Sequence, residues 1–363
     1  MRARATEWIA RLALVVGAVL VSLLALELGI RAWHGRAALL DWRNDFLPAT
    51  DAAGGTAGGV AESDSGRFLR DPQLGFVMRP NFRSQVETHD AAGFRVVPGP
   101  TPPEGPPILV AGDSYAYGDD VTNDGAWPAL LQPLVRRRVL NAGVPGYGLD
   151  QSILRLERLV PAWRPALAIL SFIADDVRRL EMSRNWGAGK PYFVLEGDAL
   201  LLRNVPVPPD PPRRANVSLW HRLLGWSYLL NAVETRVLLD RHEWIGDSVR
   251  VLPRGSGETL VCPLMARLAR VGVPVLVVAQ YEPRGWRDAA YDREQRRLSA
   301  RVLECARAAG MATLDLHAET DRAVRAEGYD AIFYGYHHTA RGNRLAAEAI
   351  AAHLRRLEWP PAP

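Results

Sequence analysis

Short, uninterrupted apolar runs alternate with amphipathic stretches over the last two thirds of the chain. In the amphipathic stretches the apolar residues recur at helical spacing. Apolar strands that alternate with such helices are typical of a parallel sheet covered by helices on both faces. The predicted strands are Ile108–Ala111, Val139–Asn141, Leu167–Phe172, Val273–Ala279 and Ala312–Leu316, and the predicted helices include Ala126–Arg137, Asp150–Leu159, Ala289–Ala309 and Ala340–Leu357.

This pattern predicts an α/β fold, a three-layer sandwich with a central parallel five-stranded sheet over residues 108–357. An insertion at about residues 183–258 interrupts it. The insertion begins with a predicted hairpin over Pro191–Val207 and continues, after a Pro-rich break, with an apolar-rich helix over Leu219–Trp244. We interpret it as a small subdomain packed on the core, as a lid or substrate-binding surface over the strand ends, or as both together.

The amino terminus contains an apolar run, Leu12–Ile30, in which Glu27 is the only charged residue. The run has about 19 residues, close to the ~20 that cross a bilayer core. We interpret residues 1–36 as an uncleaved signal-anchor, with a cleaved signal peptide as the alternative. Either one places the bulk of the chain outside the cytoplasm. Positive charges lie on both sides of the run, at Arg2, Arg4, Arg11, Arg31 and Arg36, so the orientation signal is weak.

Residues 37–107 are predicted to form a linker and a small element ahead of the main domain. Asp51–Ser65 is rich in Gly, Ala, Asp and Ser, which is the composition of a flexible linker. Arg67–Val97 then contains short strand-like pieces, G-F-V-M and G-F-R-V-V, before the Pro-rich stretch Pro98–Pro107.

The net charge and the cysteine content argue against a nucleic-acid-binding protein and against a metal site built from cysteines. The 363 residues carry a net charge of only +4, and the basic residues are scattered. Nucleic-acid binding is therefore not expected. The two cysteines, Cys262 and Cys305, have no metal-ligand spacing around them. They are either two buried thiols or one disulfide, which is allowed outside the cytoplasm.

The strongest chemical signal is Gly112-Asp113-Ser114, directly after the first predicted strand. Ser114 then lies at the carboxyl end of a strand and the amino end of a helix, where open α/β sheets bind ligands. Free N–H groups at a helix start favour a developing negative charge. Ser114 is thus a candidate nucleophile, although a serine at this place can also simply cap the helix.

Four sequence blocks follow one another along the chain: Gly112-Asp113-Ser114, the stretch Asn141–Gly148, Ile173-Ala174-Asp175-Asp176, and the H-x-T-x-x-G-N pattern that starts at His337. In this order they resemble the SGNH hydrolase superfamily, the GDSL-like esterases, over roughly Ile108–Leu357. The apolar amino-terminal run, the G-F-R element and the stretch G-V-P-G-Y-G-L-D-Q are similar to membrane-anchored bacterial members. The resemblance thus implies a single-pass protein of the cell inner membrane whose domain faces the periplasm.

The resemblance also implies the roles of the site residues. Ser114 is the nucleophile, His337 is its base, and the oxyanion is bound by the backbone N–H groups of Ser114 and Gly146. His338 is an alternative base, but the spacing from Thr339 favours His337.

Two departures from the family pattern concern the remaining site positions. The third oxyanion position holds Asp175 where the family has Asn, and an ionised carboxylate cannot donate a hydrogen bond. The acid that orients the histidine usually stands two or three residues before it, where this chain has Gly335 and Tyr334. Asp330 is the nearest acidic residue, and a Ser–His dyad oriented by a carbonyl is the alternative.

We therefore expect a serine esterase that hydrolyses an acyl or acetyl ester, with a small molecule or a glycan as the substrate. An O-acyltransferase that acts on a saccharide and a catalytically inactive binding domain are the alternatives. The proposed chemistry needs no cofactor and no metal ion.

Overall fold

The five strands of the central sheet form where the sequence has its short apolar runs. The computed structural model describes residues 2–34, 39–40, 66–100, 105–185, 188–209, 223–233 and 257–359. Within these residues the strands are β1 (Phe68–Asp71), β2 (Gly75–Met78), β3 (Ile108–Gly112), β4 (Val139–Asn141), β5 (Leu167–Phe172), β6 (Arg184–Asn185), β7 (Ala188–Gly189), β8 (Tyr192–Glu196), β9 (Ala199–Arg203), β10 (Val275–Ala279), β11 (Ala312–Asp315), β12 (Phe333–Tyr334) and β13 (His337–His338).

Helices follow most of the buried strands, at the places that the amphipathic pattern predicts. In the same residues the α-helices are α1 (Arg2–His34), α2 (Ser114–Tyr117), α3 (Trp127–Val135), α4 (Leu149–Trp163), α5 (Ala174–Arg178), α6 (Tyr228–Ala232), α7 (Gly257–Leu268), α8 (Ala289–Ala308), α9 (His317–Glu327), α10 (Tyr329–Ile332) and α11 (Ala340–Arg356).

The central sheet has five parallel strands in the order β11-β10-β5-β3-β4, which confirms the predicted fold class. Every residue of β3, β5 and β10 is buried, as expected for strands covered on both faces. The strand order reverses between β3 and β5. Ligands bind at such a reversal point, beyond the carboxyl ends of the strands.

Two apolar clusters cover the two faces of this sheet. Successive residues of β3 point to opposite faces, so that Leu109 and Ala111 join one cluster while Ile108 and Val110 join the other. Helices α4, α7 and α8 pack on the first face, and α3 and α11 pack on the second. Burial of each large apolar side chain contributes roughly 1.5–3 kcal/mol, and these two layers therefore hold the sandwich together.

The chain divides into two compact units. One comprises Met1–Ala57 and Asp210–Leu252, and the other comprises Gly58–Pro209 and Pro253–Pro363. The domain boundaries drawn from the sequence stay a prediction.

The first part of the predicted insertion forms the expected hairpin. β8 and β9 pair antiparallel around a turn at Gly197. The predicted helix over Leu219–Trp244 is interrupted within the described residues, because Ser227 caps α6 and starts a new helix there. The remainder of that predicted helix lies outside the described residues.

In the unit of Met1–Ala57 and Asp210–Leu252, α1 extends well beyond the apolar run Leu12–Ile30 at both ends. Its stretch Ala10–Trp33 has a mean hydropathy of 2.5 and is long and apolar enough to cross a membrane, a property that it shares with signal sequences. The predicted linker Asp51–Ser65 lies outside the described residues.

The segment of residues 66–100, here called the β1–β2 segment, packs against the edge of the central sheet. G-F-V-M forms β2, as the alternation of its side chains predicts. G-F-R-V-V does not form a strand of its own. Arg95 instead makes an isolated antiparallel bridge with Asn141, the last residue of the edge strand β4.

A disulfide joins Cys262 on α7 to Cys305 on α8, which decides between the two states that the sequence left open. The Cα atoms are 4.8 Å apart, and 43 residues separate the two cysteines in sequence. Closing a loop of that length lowers the entropy of the unfolded chain, with a stabilisation of about 4 kcal/mol in the chain-entropy model.

We predict that replacing both cysteines by serine lowers the free energy of unfolding by about 2–4 kcal/mol. The loss corresponds to a decrease in melting temperature of roughly 3–7 °C for a chain of this size, measured on the full-length protein in detergent. Reductant should lower the melting temperature of the wild type in the same way and leave the double variant unchanged. Equal melting temperatures of the oxidised and reduced wild type would contradict this prediction.

Candidate active site

Ser114 lies where β3 ends and α2 begins, at the reversal point of the sheet. Gly112 makes this turn possible. It has φ +151°, and a Cβ atom there would lie 2.1 Å from the backbone oxygen of Ser171 on β5. Asp113 then caps α2, since its Oδ1 accepts a hydrogen bond from the backbone N–H of Tyr115 at 2.9 Å. The strand and the cap together fix Ser114 at the carboxyl end of β3.

Ser114 is the first member of a chain of three hydrogen-bonded side chains. Its Oγ lies 2.9 Å from Nε2 of His337. On the other side of the imidazole, Nδ1 lies 2.7 Å from Oδ2 of Asp120. Because a carboxylate only accepts, the proton of a neutral His337 belongs on Nδ1, and Nε2 is then free to accept the Ser114 proton. This is the arrangement that activates a serine for nucleophilic attack.

The hairpin of β12 and β13 delivers His337 to Ser114. Its backbone pairs Tyr334 with His337. Directly after the hairpin, Thr339 caps α11 by accepting a hydrogen bond from the N–H of Gly342 at 3.2 Å. Asn343 Oδ1 accepts from the backbone N–H of Trp127 at 3.1 Å and so ties α11 to α3. The residues of the H-x-T-x-x-G-N pattern therefore hold the histidine in place.

The electrostatic surroundings of His337 favour its protonated form. Burial lowers the pKa of His337, but the hydrogen bond that His337 donates to Asp120 and the charges of Asp119 and Asp113 outweigh burial and raise the pKa above its ordinary value. The same hydrogen bond lowers the pKa of Asp120. Asp120 thus stays ionised beside the imidazole.

His338, the alternative base, has a different environment. It is buried between Phe333, on which it stacks, and Tyr115, whose ring it meets edge to face. Burial lowers the pKa of His338 to about 3. His338 therefore stays neutral at physiological pH and packs beneath the β12–β13 hairpin, whereas His337 contacts Ser114.

Asp330 does not orient His337 in the structure, which corrects the expectation from the sequence. Its side chain is 95% exposed, and its ion-pair partner is Arg287 at 3.9 Å. Asp330 is located on α10 before the hairpin, whereas Nδ1 of His337 faces the loop that follows α2. Asp120 on that loop occupies the position of the acid, only six residues after Ser114.

Gly146, the predicted oxyanion donor, lies in the loop after β4 with φ +82°. Its carbonyl accepts a hydrogen bond from Nδ2 of Asn185 at 2.7 Å, which fixes the orientation of the following peptide. The oxyanion roles of Ser114 and Gly146 stay predictions.

Asp175, at the third predicted oxyanion position, forms ion pairs with two arginines. Its carboxylate lies 2.9 Å from Arg179 and 3.4 Å from Arg178. An ionised Asp175 still lacks a proton to donate to an oxyanion. The two guanidinium groups offset its charge, so the repulsion of a developing oxyanion is weaker than the sequence alone suggests.

Arg179 also lies against the carboxylates of Asp113 and Asp176 and the carbonyl of Tyr147, at the carboxyl ends of the strands. Its Nη1 donates to Oδ1 of Asp176 at 2.7 Å and to the carbonyl of Tyr147 at 2.8 Å, and it lies 3.7 Å from Asp113. Burial raises the pKa of Asp113, and it raises that of Asp176 much further, with the charge of Asp113 adding to the effect. Arg179 therefore links the first three sequence blocks through one buried cation.

Sequence reasoning missed two residues of this site, Asp120 and Arg179. The acidic pair Asp119-Asp120, which begins five residues after Ser114, was an available signal, but acidic residues are common in loops. Arg179 had no signal, because nothing in the sequence states which carboxylates surround it. In the part of the chain that the structure describes, no group of three or more His, Cys, Asp or Glu side chains is arranged to hold a metal ion.

Comparisons with known proteins give one family and several distant structures. The sequence model of the GDSL-like Lipase/Acylhydrolase family matches residues 110–345. None of the curated proteins matches the sequence significantly.

The solved structures are similar at low identity. LAE5, an α/β hydrolase enzyme from the metagenome of Lake Arreo, Spain, is 15% identical over 68% of this chain and 94% of its own, with a TM-score of 0.43. Axe2, an acetylxylan esterase from Geobacillus stearothermophilus, is 14% identical over 70% of this chain and 95% of its own, with a TM-score of 0.41. TesA is 15% identical over 69% of this chain and 98% of its own, with a TM-score of 0.39.

We predict that Asp120→Asn lowers kcat/KM for a short-chain ester by roughly 10³- to 10⁴-fold, because the wrong imidazole tautomer then faces Ser114. Asp120 raises the pKa of His337, so its loss should also move the acid limb of the pH profile to lower pH. Only the neutral imidazole can accept the proton of Ser114. When the pKa of His337 falls, the imidazole stays neutral down to a lower pH.

The matched control is Asp330→Asn, which removes the exposed acid that the sequence favoured. It should leave both kcat/KM and the pH profile unchanged. A large loss of kcat/KM in Asp330→Asn with no loss in Asp120→Asn would show that Asp330, and not Asp120, orients His337.

Proposed function

Because the chain belongs to the GDSL-like lipase/acylhydrolase family, we propose that it is a serine esterase that hydrolyses acyl or acetyl esters outside the cytoplasm. The observation that carries the proposal is the continuous chain of hydrogen bonds from Ser114 through His337 to Asp120, at 2.9 and 2.7 Å. It supports a base-activated hydroxyl, which is the reactive group that ester cleavage requires.

In the first half-reaction, Ser114 Oγ attacks the ester carbonyl carbon while its proton moves to Nε2 of His337. The backbone N–H groups of Ser114 and Gly146 donate hydrogen bonds to the tetrahedral oxyanion, each worth about 3–4 kcal/mol. The intermediate collapses, the C–O bond to the alcohol breaks, and His337 returns the proton to the leaving oxygen. Asp120 stabilises the imidazolium between these two transfers.

In the second half-reaction, an acceptor hydroxyl attacks the acyl group on Ser114, and His337 takes the acceptor proton and passes it to Ser114 Oγ. Water as the acceptor gives hydrolysis. A saccharide hydroxyl as the acceptor gives acyl transfer with the same residues. We propose hydrolysis, with transfer as an outcome that product analysis detects.

The alcohol side of the substrate is proposed to be a saccharide. Two aromatic side chains flank His337 on the hairpin, Tyr334 at 70% exposure and Tyr336 at 85%. Exposed rings offer flat apolar faces with a polar tip, which complement the mixed apolar and hydroxyl surface of a sugar ring.

We further propose that α1 is retained as a membrane anchor with the catalytic domain facing the periplasm. A carboxylate in an apolar helix is costly unless it is paired. Glu27 is only 3% exposed, because it accepts hydrogen bonds from Ser227 Oγ at 2.8 Å and from the N–H groups of Tyr228 and Leu229 at 3.0 and 2.8 Å. Arg31 completes the pairing with Glu27 at 2.6 Å.

These contacts favour retention over cleavage. A signal peptidase cut after the apolar run would remove Glu27 and leave the start of α6 without its acceptor. The disulfide between Cys262 and Cys305 further supports a location outside the cytoplasm, where thiols are oxidised.

We predict that a fluorophosphonate probe labels the wild type at Ser114 and that Ser114→Ala abolishes both labelling and hydrolysis of p-nitrophenyl acetate. The physical reason is that only an activated serine reacts with the probe. Undiminished ester hydrolysis by Ser114→Ala would show that Ser114 is not the nucleophile. A wild type that neither reacts with the probe nor cleaves any ester would favour the inactive binding domain.

Product analysis with an acetylated saccharide then separates the two acceptors. Free acetate as the sole product supports hydrolysis, whereas acetyl groups found on an added saccharide acceptor support transfer.

For the anchor, we predict that the full-length protein stays in the membrane fraction after alkaline extraction and keeps its amino-terminal residues. Deleting residues 1–36 should release the protein into the soluble fraction, because the apolar run Leu12–Ile30 is then absent. Soluble wild-type protein whose sequence starts near residue 30 would instead establish a cleaved signal peptide.

A further inference from the structure

The acid Asp120 lies in an exposed loop that needs external support. Asp120 has φ +66°, a conformation that side-chain-bearing residues rarely adopt. Its position decides whether His337 has the correct tautomer, so the loop must be held within a narrow range.

One guanidinium, that of Arg95, binds the loop at several points. Arg95 is only 2% exposed. Its Nη1 donates to the carbonyl of Tyr117 at 3.2 Å and to that of Gly118, and its Nη2 donates to that of Val121. Its Nε donates to Oδ1 of Asn123 at 3.0 Å. These acceptors bracket Asp120 on both sides along the chain.

The backbone of Arg95 is itself fixed to the central sheet. Its N–H donates to the carbonyl of Asn141 at 3.0 Å, at the end of edge strand β4. Asn141 Nδ2 in turn donates to the carbonyl of Tyr117 at 3.0 Å. Asn141 also begins the stretch that contains Gly146, so the loop of the acid and the loop of the predicted oxyanion donor share one support.

A second arginine of the same segment binds the residue beside the acid. Arg67 donates to both carboxylate oxygens of Asp119, at 2.8 and 3.1 Å, and its Nη1 lies 3.4 Å from Glu87. Such a two-pronged contact fixes orientation as well as charge.

We propose that Arg95 is a positioning residue that holds Asp120 against His337, with Arg67 in a supporting role, and that the β1–β2 segment therefore supports the active site through these two arginines. This segment lies outside residues 110–345, which the family model matches. The proposal rests on the proposed function, in which Asp120 orients the base.

The decisive experiment compares Arg95→Lys in the wild type and in Asp120→Asn. Lysine keeps the charge but cannot reach four separate acceptors with one ammonium group. In the wild type, kcat/KM should fall by about 10- to 100-fold through misplacement of the acid. In Asp120→Asn the same change should have little further effect, because the acid is already absent. Equal losses in both backgrounds, or none in the wild type, would overturn the proposal.

Arg70→Lys is the matched control, because Arg70 lies in the same segment and binds the carbonyl of Val207. It should leave kcat/KM unchanged. If Arg95→Lys fails to fold, Arg67→Gln replaces it, with a smaller loss that also depends on Asp120.

A readout that does not need turnover separates this proposal from the proposed function. The pKa of His337 can be followed by NMR of the full-length protein labelled with ¹⁵N-histidine, with His337→Asn as the assignment control. The acidic groups that raise this pKa are Asp120, Asp119 and Asp113, while Arg67 acts on Asp120.

Arg95→Lys should lower the His337 pKa toward that of Asp120→Asn, whether or not the wild type cleaves esters. A His337 pKa that equals the wild-type value would overturn the positioning role. A shifted pKa in a protein without esterase activity would keep the positioning role and reject the esterase.

Discussion

The arrangement at the carboxyl ends of β3 and β5 depends on one buried cation. Asp113 and Asp176 are fully buried, and isolated carboxylates in such a place are strongly destabilising. Arg179 binds Asp175 and Asp176 directly, lies 3.7 Å from Asp113, and binds the carbonyl of Tyr147. The three loops that frame Ser114 therefore meet on one guanidinium, which fixes their positions relative to one another.

The position of Asp120 illustrates that a hydrogen-bonded chain of Ser, His and Asp is defined in space and not by sequence spacing. The family pattern implies an acid two or three residues before the histidine, on the same hairpin. In this chain Nδ1 of His337 is hydrogen-bonded to Asp120, which lies on the loop after Ser114 and not on the hairpin of the histidine. The hydrogen bond needs only the correct distance and direction to Nδ1, so either loop can supply it.

The buried position of Glu27 has a similar explanation. In the sequence it is a single charge in an apolar run, and its partners are Arg31 one helical turn away and three residues that lie some 200 positions further along. A charged residue in an apolar helix is tolerated where its hydrogen-bonding groups are satisfied. The insertion supplies these groups from the start of α6.

The sequence by itself determined the features that depend on local patterns. Apolar runs and helical spacing predicted the five strands and the flanking helices, and the blocks around Ser114 and His337 identified the two residues that the structure brings within 2.9 Å. These signals are local, because each depends on a few neighbouring positions. Only the tertiary structure decided the acid, the disulfide and the arginine contacts. Asp120 and Asp330 are both plausible in sequence, but the direction in which Nδ1 of His337 points, set by the packing of the β12–β13 hairpin, selects Asp120.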